Sequence, residues 1–396
     1  MPEIRFMGFT DAWVQRALGE VFEQTSEYVN PKEDNIELWS LTVEKGLTPK
    51  TERYNREFLV KKEDSFKTVF PSEFIYNPMN MTLGAIDLNL MAKKVAVSGY
   101  YITMRTKEGF DDNYFSVWLK SPKAIKLYKL YATGGLLEKQ RVQFSTLSSI
   151  CAVMPTLSEQ TAIGNFFRTL DNCIAINQRK HDGLKKLKAA YLQQMFPQAG
   201  ERVPRVRFGG FVGDWEERKL YDVAETYSGG TPSVGEKGYY NGIIPFIRSA
   251  EINSDQTELF LSNEGLQNSS AKMVDAGTIL YALYGATSGE VGRSKIVGAI
   301  NQAILAIKPK DSYNSEFIAQ WLRRQKASIV STYLQGGQGN LSASIIKELN
   351  INIPSPEEQT IIGNFFFKLD MQIETQEQKN EILKRLKAAY LQKMFV

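Results

Sequence analysis

The ten residues LKAAYLQQMF at 187–196 are written again, with one change, as LKAAYLQKMF at 386–395. The match extends backwards without a gap. Between Glu159–Phe196 and Glu358–Phe395, 23 of 38 positions are identical, too many for coincidence. A second pair stands upstream. IRFMGFTDAWVQRALGEV (4–21) and VRFGGFVGDWEERKLYDV (206–223) share Arg5/Arg207, Phe6/Phe208, Gly8/Gly210, Phe9/Phe211, Trp13/Trp215, Arg16/Arg218 and Leu18/Leu220. A repeat on this scale decides architecture before any local pattern does. Between the anchors, residues 24–150 and 226–350 show little similarity. The chain therefore reads variable–constant–variable–constant, with a short shared lead-in before each variable part. Duplication without purpose predicts even divergence. Constant helices beside divergent domains imply two jobs under different demands.

The constant segments read as helices. Thr156-Leu-Ser-Glu159 and Ser355-Pro-Glu-Glu358 have the form of capping boxes, with the Glu expected to reach back to the cap N–H. Pro356 suits the first helical position. Apolar residues at Ile163, Phe166, Leu170, Ile174, Leu184, Leu187, Tyr191 and Met195, matched by Ile362, Phe365, Leu369, Ile373, Leu383, Leu386, Tyr390 and Met394, mark one stripe. Leu170, Ile174, Asn177, His181 and Leu184, with Leu369, Ile373, Gln376, Asn380 and Leu383, form a heptad-like seam with a polar middle. That middle reads equally as register control or as solvated helix. About 38 residues at ~1.5 Å each give a spacer on the order of 57 Å. Two such stripes in one chain bury each other if a pseudo-twofold axis sets the helices antiparallel.

The expected layout is a mixed α+β chain: a first domain over 1–155, a helix over 156–196, a linker over 197–205, a second domain over 206–354 and a helix over 355–396. The linker carries Pro197, Gly200 and Pro204, which stop the first helix. Strand-like runs fall at Val95–Met104, Gly277–Thr287, Lys295–Ile307 and Glu348–Ile353, and helical patterns near 114–131 and 315–334. Glycine-containing polar loops lie between them.

Composition excludes more than it assigns. Lys plus Arg number 48 against 44 Asp plus Glu, a net charge of +4, too small to signal a nucleic-acid partner by itself. The single histidine, His181, removes most His-based triads and His-ligated metal sites. Cys151 and Cys173 give neither a disulfide framework nor zinc spacing. No apolar run is long enough to span a bilayer, and the first residues lack the apolar core of a signal peptide, so a cytoplasmic protein is expected. No GxxxxGK[ST] loop occurs. Asn77-Pro-Met-Asn80 lacks the second proline and the aromatic of an amino-methyltransferase tetrad, and no glycine-rich cofactor loop accompanies it.

Two divergent domains alternating with two near-identical helices that carry P-x-x-EQ…IG-x-F-x-x-L-D…LK-x-x-x-L-x-x-M-F strongly resemble the specificity subunit of type I restriction–modification systems. In the second half GGTPS, YYNGIIPFI, SSAK, GTIL, YGATSGEVG and NQA match habitual family segments; the first domain departs more. The resemblance implies that each variable domain reads one half of a split site on double-stranded DNA. It implies that the helices form an antiparallel coiled coil setting the gap, and that two modification (methyltransferase) subunits dock on them. S-adenosylmethionine on those subunits, and ATP and Mg on restriction subunits, would serve chemistry absent from this chain, which is expected to bind no cofactor or metal and to be no enzyme. The DNA-contact candidates are Ser40, Lys45, Tyr76, Asn77, Asn80, Ser98, Tyr100 and Arg141 in the first domain. In the second they are Ser228, Thr231, Arg248, Ser249, Ser270, Lys272, Tyr284, Ser288, Arg293, Gln338 and Asn340. Each has a plain alternative in a surface ion pair or turn. Trp13 and Trp215 recur in both halves and read as shared scaffold. Two rival classes stand beside this one: a non-DNA adaptor that dimerises through its helices, and a self-sufficient methyltransferase.

Overall fold

In a computed structural model, which describes residues 2–50, 65–134, 140–334 and 340–395, the chain divides into two compact units. One comprises Met1–Gln178 with Gln378–Val396, the other Arg179–Glu377. The two long helices, Leu157–Gln194 and Pro356–Lys393, have 38 residues each, and every unit takes part of both.

In the first unit the lead-in strand Val14–Ala17 pairs antiparallel with Cys151–Met154, directly before the first long helix. A four-stranded sheet follows in the order Phe22–Thr25, Ile102–Thr106, Phe74–Tyr76, Ile86–Leu88. A three-stranded sheet sets Phe66–Val69 between Tyr28–Val29 and Val95–Ser98. The hairpin Trp39–Thr42/Gly46–Pro49 turns at Gly46, whose φ of +65° is left-handed; a Cβ there would stand 2.2 Å from Asp87 Oδ2. Glycine is the residue that meets both demands.

The second unit repeats the scheme. Glu216–Lys219 pairs with Asn350–Ile353 before the second long helix. Its main sheet runs Ala224–Ser228, Ile304–Pro309, Ile279–Ala282, Val291–Arg293. The central strand Ile279–Ala282 is buried throughout, as expected of a strand covered on both faces. A further sheet runs Phe260–Leu261, Ile244–Ile247, Gly298–Ile300, Lys272–Val274, with one parallel pair. The expected runs 95–104 and 295–307 each break into two strands, at the turn Ser98–Tyr101 and at Asn301. The expected helix near 114–131 is two helices, Asp112–Trp118 and Pro122–Tyr131, because Ser121 and Pro122 restart it; Ser315–Leu334 is one.

Within each unit the segments of the two long helices run antiparallel. In the first, Phe166 packs edge-on to Tyr390 at 5.1 Å, Phe167 stacks on Phe395 at 5.8 Å, and Lys387 meets Asp171. In the second, Tyr191 packs on Phe365 at 5.1 Å, Phe196 stacks on Phe366 at 6.0 Å, and Lys188 meets Asp370. The repeated Met-Phe ends are thus core residues: Met394 and Phe395 complete the first unit's core with Tyr114 and Phe167, and Met195 and Phe196 complete the second's with Trp215 and Phe317. The apolar stripe is wider than the sequence suggests. Phe167 and Phe366 are fully buried, whereas Leu187 and Leu386, expected inside, are exposed. Each helix must cover a domain as well as its partner helix, so its buried face shifts toward the domain. Of the seam positions, Leu170, Asn177, His181, Leu369 and Asn380 are buried, and Ile174, Leu184, Ile373, Gln376 and Leu383 are half-buried. No helix among the described residues is long and apolar enough to cross a membrane.

Candidate nucleic-acid interface

The repeated Glu-Gln-Thr of each long helix builds one clamp per unit. Arg5 Nε and Nη2 donate to Glu159 at 2.6 and 2.7 Å; Arg207 donates likewise to Glu358 at 2.7 and 2.8 Å. These forks raise the pKa of both arginines. The capping-box expectation is therefore half right. Ser355 Oγ accepts from the Glu358 N–H at 3.3 Å, but the Glu carboxylates turn to the arginines, not to the cap N–H. A carboxylate with 1% of its side chain exposed is better satisfied by a bidentate guanidinium than by one amide. Trp13 Nε1 also donates to Glu159, at 3.1 Å; Trp215 is likewise a buried core residue but lacks that bond.

The neighbouring glutamine couples clamp to domain. Gln160 donates to the Pro155 carbonyl and accepts from the Asp111 N–H; Asp111 in turn caps Asp112–Trp118 by accepting from the Tyr114 N–H. Gln359, Pro354, Asn314 and Phe317 repeat this for Ser315–Leu334. Gly164 and Gly363 let the capped helix ends sit against the long helices: an added Cβ would lie 2.6 Å from Tyr114 N or 2.5 Å from Asn314 Oδ1. The signature that repeats is thus mounting hardware. The exposed loops of the two variable domains share little sequence.

In the second unit the loop after Ala224–Ser228 meets the strand Lys272–Val274. A Cβ on Gly230 would touch Ser270 Cβ at 2.6 Å, and Thr231 Oγ1 donates to Gln302 Oε1 at 2.6 Å. This brings Thr231, Ser270 and Lys272 together, all exposed, with the half-buried Ser228 at the strand end. Tyr284 and Asn340 face each other across a β-bridge, giving a second group. Gln338 lies outside the described residues.

Three candidates in this unit are otherwise engaged. Ser288 is buried and donates to the Leu283 and Gly285 carbonyls. Arg293 donates to the Gly277 carbonyl and to Glu316 at 2.9 Å. Arg248, beside half-buried Ser249, forks onto Glu251 and reaches Glu258 at 2.6 Å. Burial alone would raise the Glu251 carboxyl, but the Arg248 guanidinium and backbone N–H donors outweigh it and hold the pKa at about 2.

In the first unit Ser40 and Lys45 lie on the hairpin, with Lys45 exposed at its turn. Asn77 and Asn80 form the turn after Phe74–Tyr76: Asn77 Oδ1 accepts from the Met79 N–H, and the Asn80 N–H donates to the Asn77 carbonyl. The neighbouring Val142 N–H donates to the Pro78 carbonyl, which brings the exposed Arg141 to the same place. Ser98 and Tyr100 share the exposed turn before Ile102–Thr106, apart from the others in sequence and sheet. Tyr76, read from the sequence as a DNA contact, has no exposed surface: it lies on a strand whose inward face fills the core, and burial pushes its hydroxyl pKa up. Sequence reasoning missed Gln302, whose only signal is its place in NQA, and the Arg–Glu clamps. No group of three or more His, Cys, Asp or Glu able to hold a metal occurs among the described residues.

Comparison with known proteins agrees with this arrangement. The family model described as the type I restriction modification DNA specificity domain matches residues 213–385. The chain is 29% identical over 196 residues to the type I restriction enzyme MjaIX specificity subunit of Methanocaldococcus jannaschii, a stretch covering 48% of this chain and 45% of that protein. It is 29% identical over 150 residues to the HindI specificity subunit of Haemophilus influenzae, covering 36% and 32%. The matched stretches span less than half the length of these curated relatives. The structure of the type I restriction-modification S subunit from M. genitalium superposes with a TM-score of 0.68 at 16% identity, covering 100% of this chain and 99% of that one. A chain from a structure on complex assembly and conformational transition of the type I R-M system gives 0.54 at 16%, covering 96% and 97%. At these identities the structural likeness establishes the fold.

Proposed function

We propose, from the premise that this chain has the fold and the relatives of type I restriction–modification specificity subunits, that each variable domain reads one half of a bipartite, asymmetric site on double-stranded DNA. The observation that carries this is the division of labour within each unit: identical clamps hold the domain on the long helices, and dissimilar loops occupy the exposed turns. Small hydroxyl and amide side chains beside a lysine, as at Thr231, Ser270 and Lys272, supply donors to base edges and a charge to phosphate. In the first domain Asn77, Asn80 and Arg141 offer the same mixture.

In this reading the chain performs no catalysis. The long helices set the separation of half-sites, roughly one turn of DNA or ~10 bp centre to centre, and present equivalent surfaces to two modification subunits. Those subunits would carry S-adenosylmethionine and methylate adenine, and restriction subunits would use ATP and Mg; the complex would work in the cytoplasm. The domain limits are 1–155 and 206–354 for the readers, 156–196 and 355–396 for the spacers, with 197–205 as linker.

The test is a genome-wide map of methylated adenine in cells with and without the gene, partner subunits expressed in both. One split motif should vanish on deletion. An unchanged methylome sinks the proposal.

A further inference from the structure

Six arginines among the described residues are partly buried, and five of them have a carboxylate. Arg5 holds Glu159, Arg207 holds Glu358, Arg248 holds Glu251, and Arg293 and Arg323 share Glu316. The sixth, Arg324, forms no ion pair and no side-chain hydrogen bond among the described residues, and burial lowers its pKa. A half-buried guanidinium bears a desolvation cost that an anion normally offsets. This protein supplies that anion in five cases and withholds it in one.

Arg324 lies in a cleft of about 710 Å³ within the second unit. One wall is the face of the helix Ser315–Leu334 that carries Trp321, Arg324, Gln325 and Ser328, spaced i, i+3, i+4, i+7. The other is the linker turn, fixed by Asn352 Nδ2 donating to the Glu201 carbonyl at 3.3 Å and the Trp215 N–H donating to the Arg202 carbonyl at 2.8 Å. Both acidic residues of the cleft are occupied elsewhere. Glu201 pairs with Arg205 and accepts from the Gln198 N–H, and Glu217 accepts from Asn350.

We infer that this cleft is a docking site for an acidic side chain of a protein partner, with its carboxylate on Arg324. A nucleic-acid backbone fits less well: it would bring a row of phosphates against Glu201 and Glu217, whereas a single carboxylate needs one cation, and the cleft offers Arg324 with Arg202 on its opposite wall. Among the described residues the site occurs once. Counting from the equivalent caps Asp111 and Asn314, the position of Arg324 is taken in the first unit by Ser121, which is fully buried and caps Pro122–Tyr131. A partner recognised here therefore distinguishes two halves whose long helices are otherwise nearly alike.

Binding of a fluorescein-labelled peptide with one glutamate among glycines and serines to the full chain, read by anisotropy, tests the site. Arg324→Gln should weaken binding about tenfold, the loss of one charge-assisted contact. Arg324→Lys should stay within about threefold, keeping the charge without the fork. Arg16→Gln, at an exposed arginine of the first unit given no binding role, should change nothing. Equal weakening by Arg324→Gln and Arg16→Gln would reduce the effect to diffuse positive charge and overturn the inference. So would displacement of the peptide by inorganic phosphate or by a 20-bp duplex at matched concentration, the first marking a small-anion site and the second a nucleic-acid surface. A melting temperature unchanged in Arg324→Lys guards against loss of fold.

Discussion

Arg207 and Glu358 join through two parallel hydrogen bonds at 2.7 and 2.8 Å, and they tie residues 151 positions apart. The pair ties the segment before the lead-in strand to the start of the second long helix, with 1% of the Glu358 side chain exposed. Arg207→Ala leaves that carboxylate buried and unpaired, which should cost about 3 kcal/mol. Chemical denaturation of the full chain should show the loss. Replacing both partners by leucine should restore part of it, because an apolar pair leaves no charge stranded. A single-mutant loss below about 1 kcal/mol would mean the clamp is ornamental.

The glycines behind the clamp make a graded prediction. Gly164→Ala drives a methyl against the Tyr114 backbone nitrogen, and Gly363→Ala drives one against the Asn314 side chain. Backbone cannot yield as a side chain can. Both should destabilise by about 1–3 kcal/mol despite alanine's better helix propensity, with Gly164→Ala the worse. Thermal melts of the two variants decide this; the opposite order, or a gain in stability, refutes the close approach.

The Glu251 carboxyl, held at about 2 against an ordinary 4.5, links loop stability to acid. A depressed carboxyl pKa contributes stability that is present above the unfolded value and lost as pH falls through the folded one. Wild type should therefore exceed Glu251→Gln in stability at neutral pH, with the gap closing between about pH 4.5 and pH 2. Denaturation midpoints across that window measure it, and a gap independent of pH would assign the effect to packing.

Much of this architecture is legible in the sequence because a repeat announces itself. The helix starts and the shared lead-in follow from aligned residues. What the sequence conceals is the partner of each repeated residue. Glu159 and Glu358 satisfy the local pattern of a capping box, yet their carboxylates bind arginines about 150 residues upstream, a choice decided by burial. Leu187 and Leu386 fit a helical stripe as well as Phe167 and Phe366 do, but the domain covers the phenylalanines. Tyr76 looked like a loop aromatic because alternation along a three-residue strand cannot show which face is the core.

Under the proposed function, Lys272 and Arg293 have different tasks in the second domain. Lys272 is exposed beside Thr231 and Ser270, whereas Arg293 spends its guanidinium on the Gly277 carbonyl and Glu316. Glu316 in turn accepts from Gln320, which donates to Asp370 of the long helix, so Arg293 belongs to a polar chain that fastens the second unit's main sheet to the long helix. Lys272→Ala should weaken DNA binding similarly across sequences and lower the salt slope by about 1. Arg293→Gln should instead lower thermal stability, by roughly 1 kcal/mol because Glu316 keeps Arg323 and Gln320, and leave the methylated motif unchanged. Binding isotherms at several salt concentrations, with methylome maps of both variants, separate the two roles. A changed motif in Arg293→Gln with unaltered stability would make that arginine a reader after all.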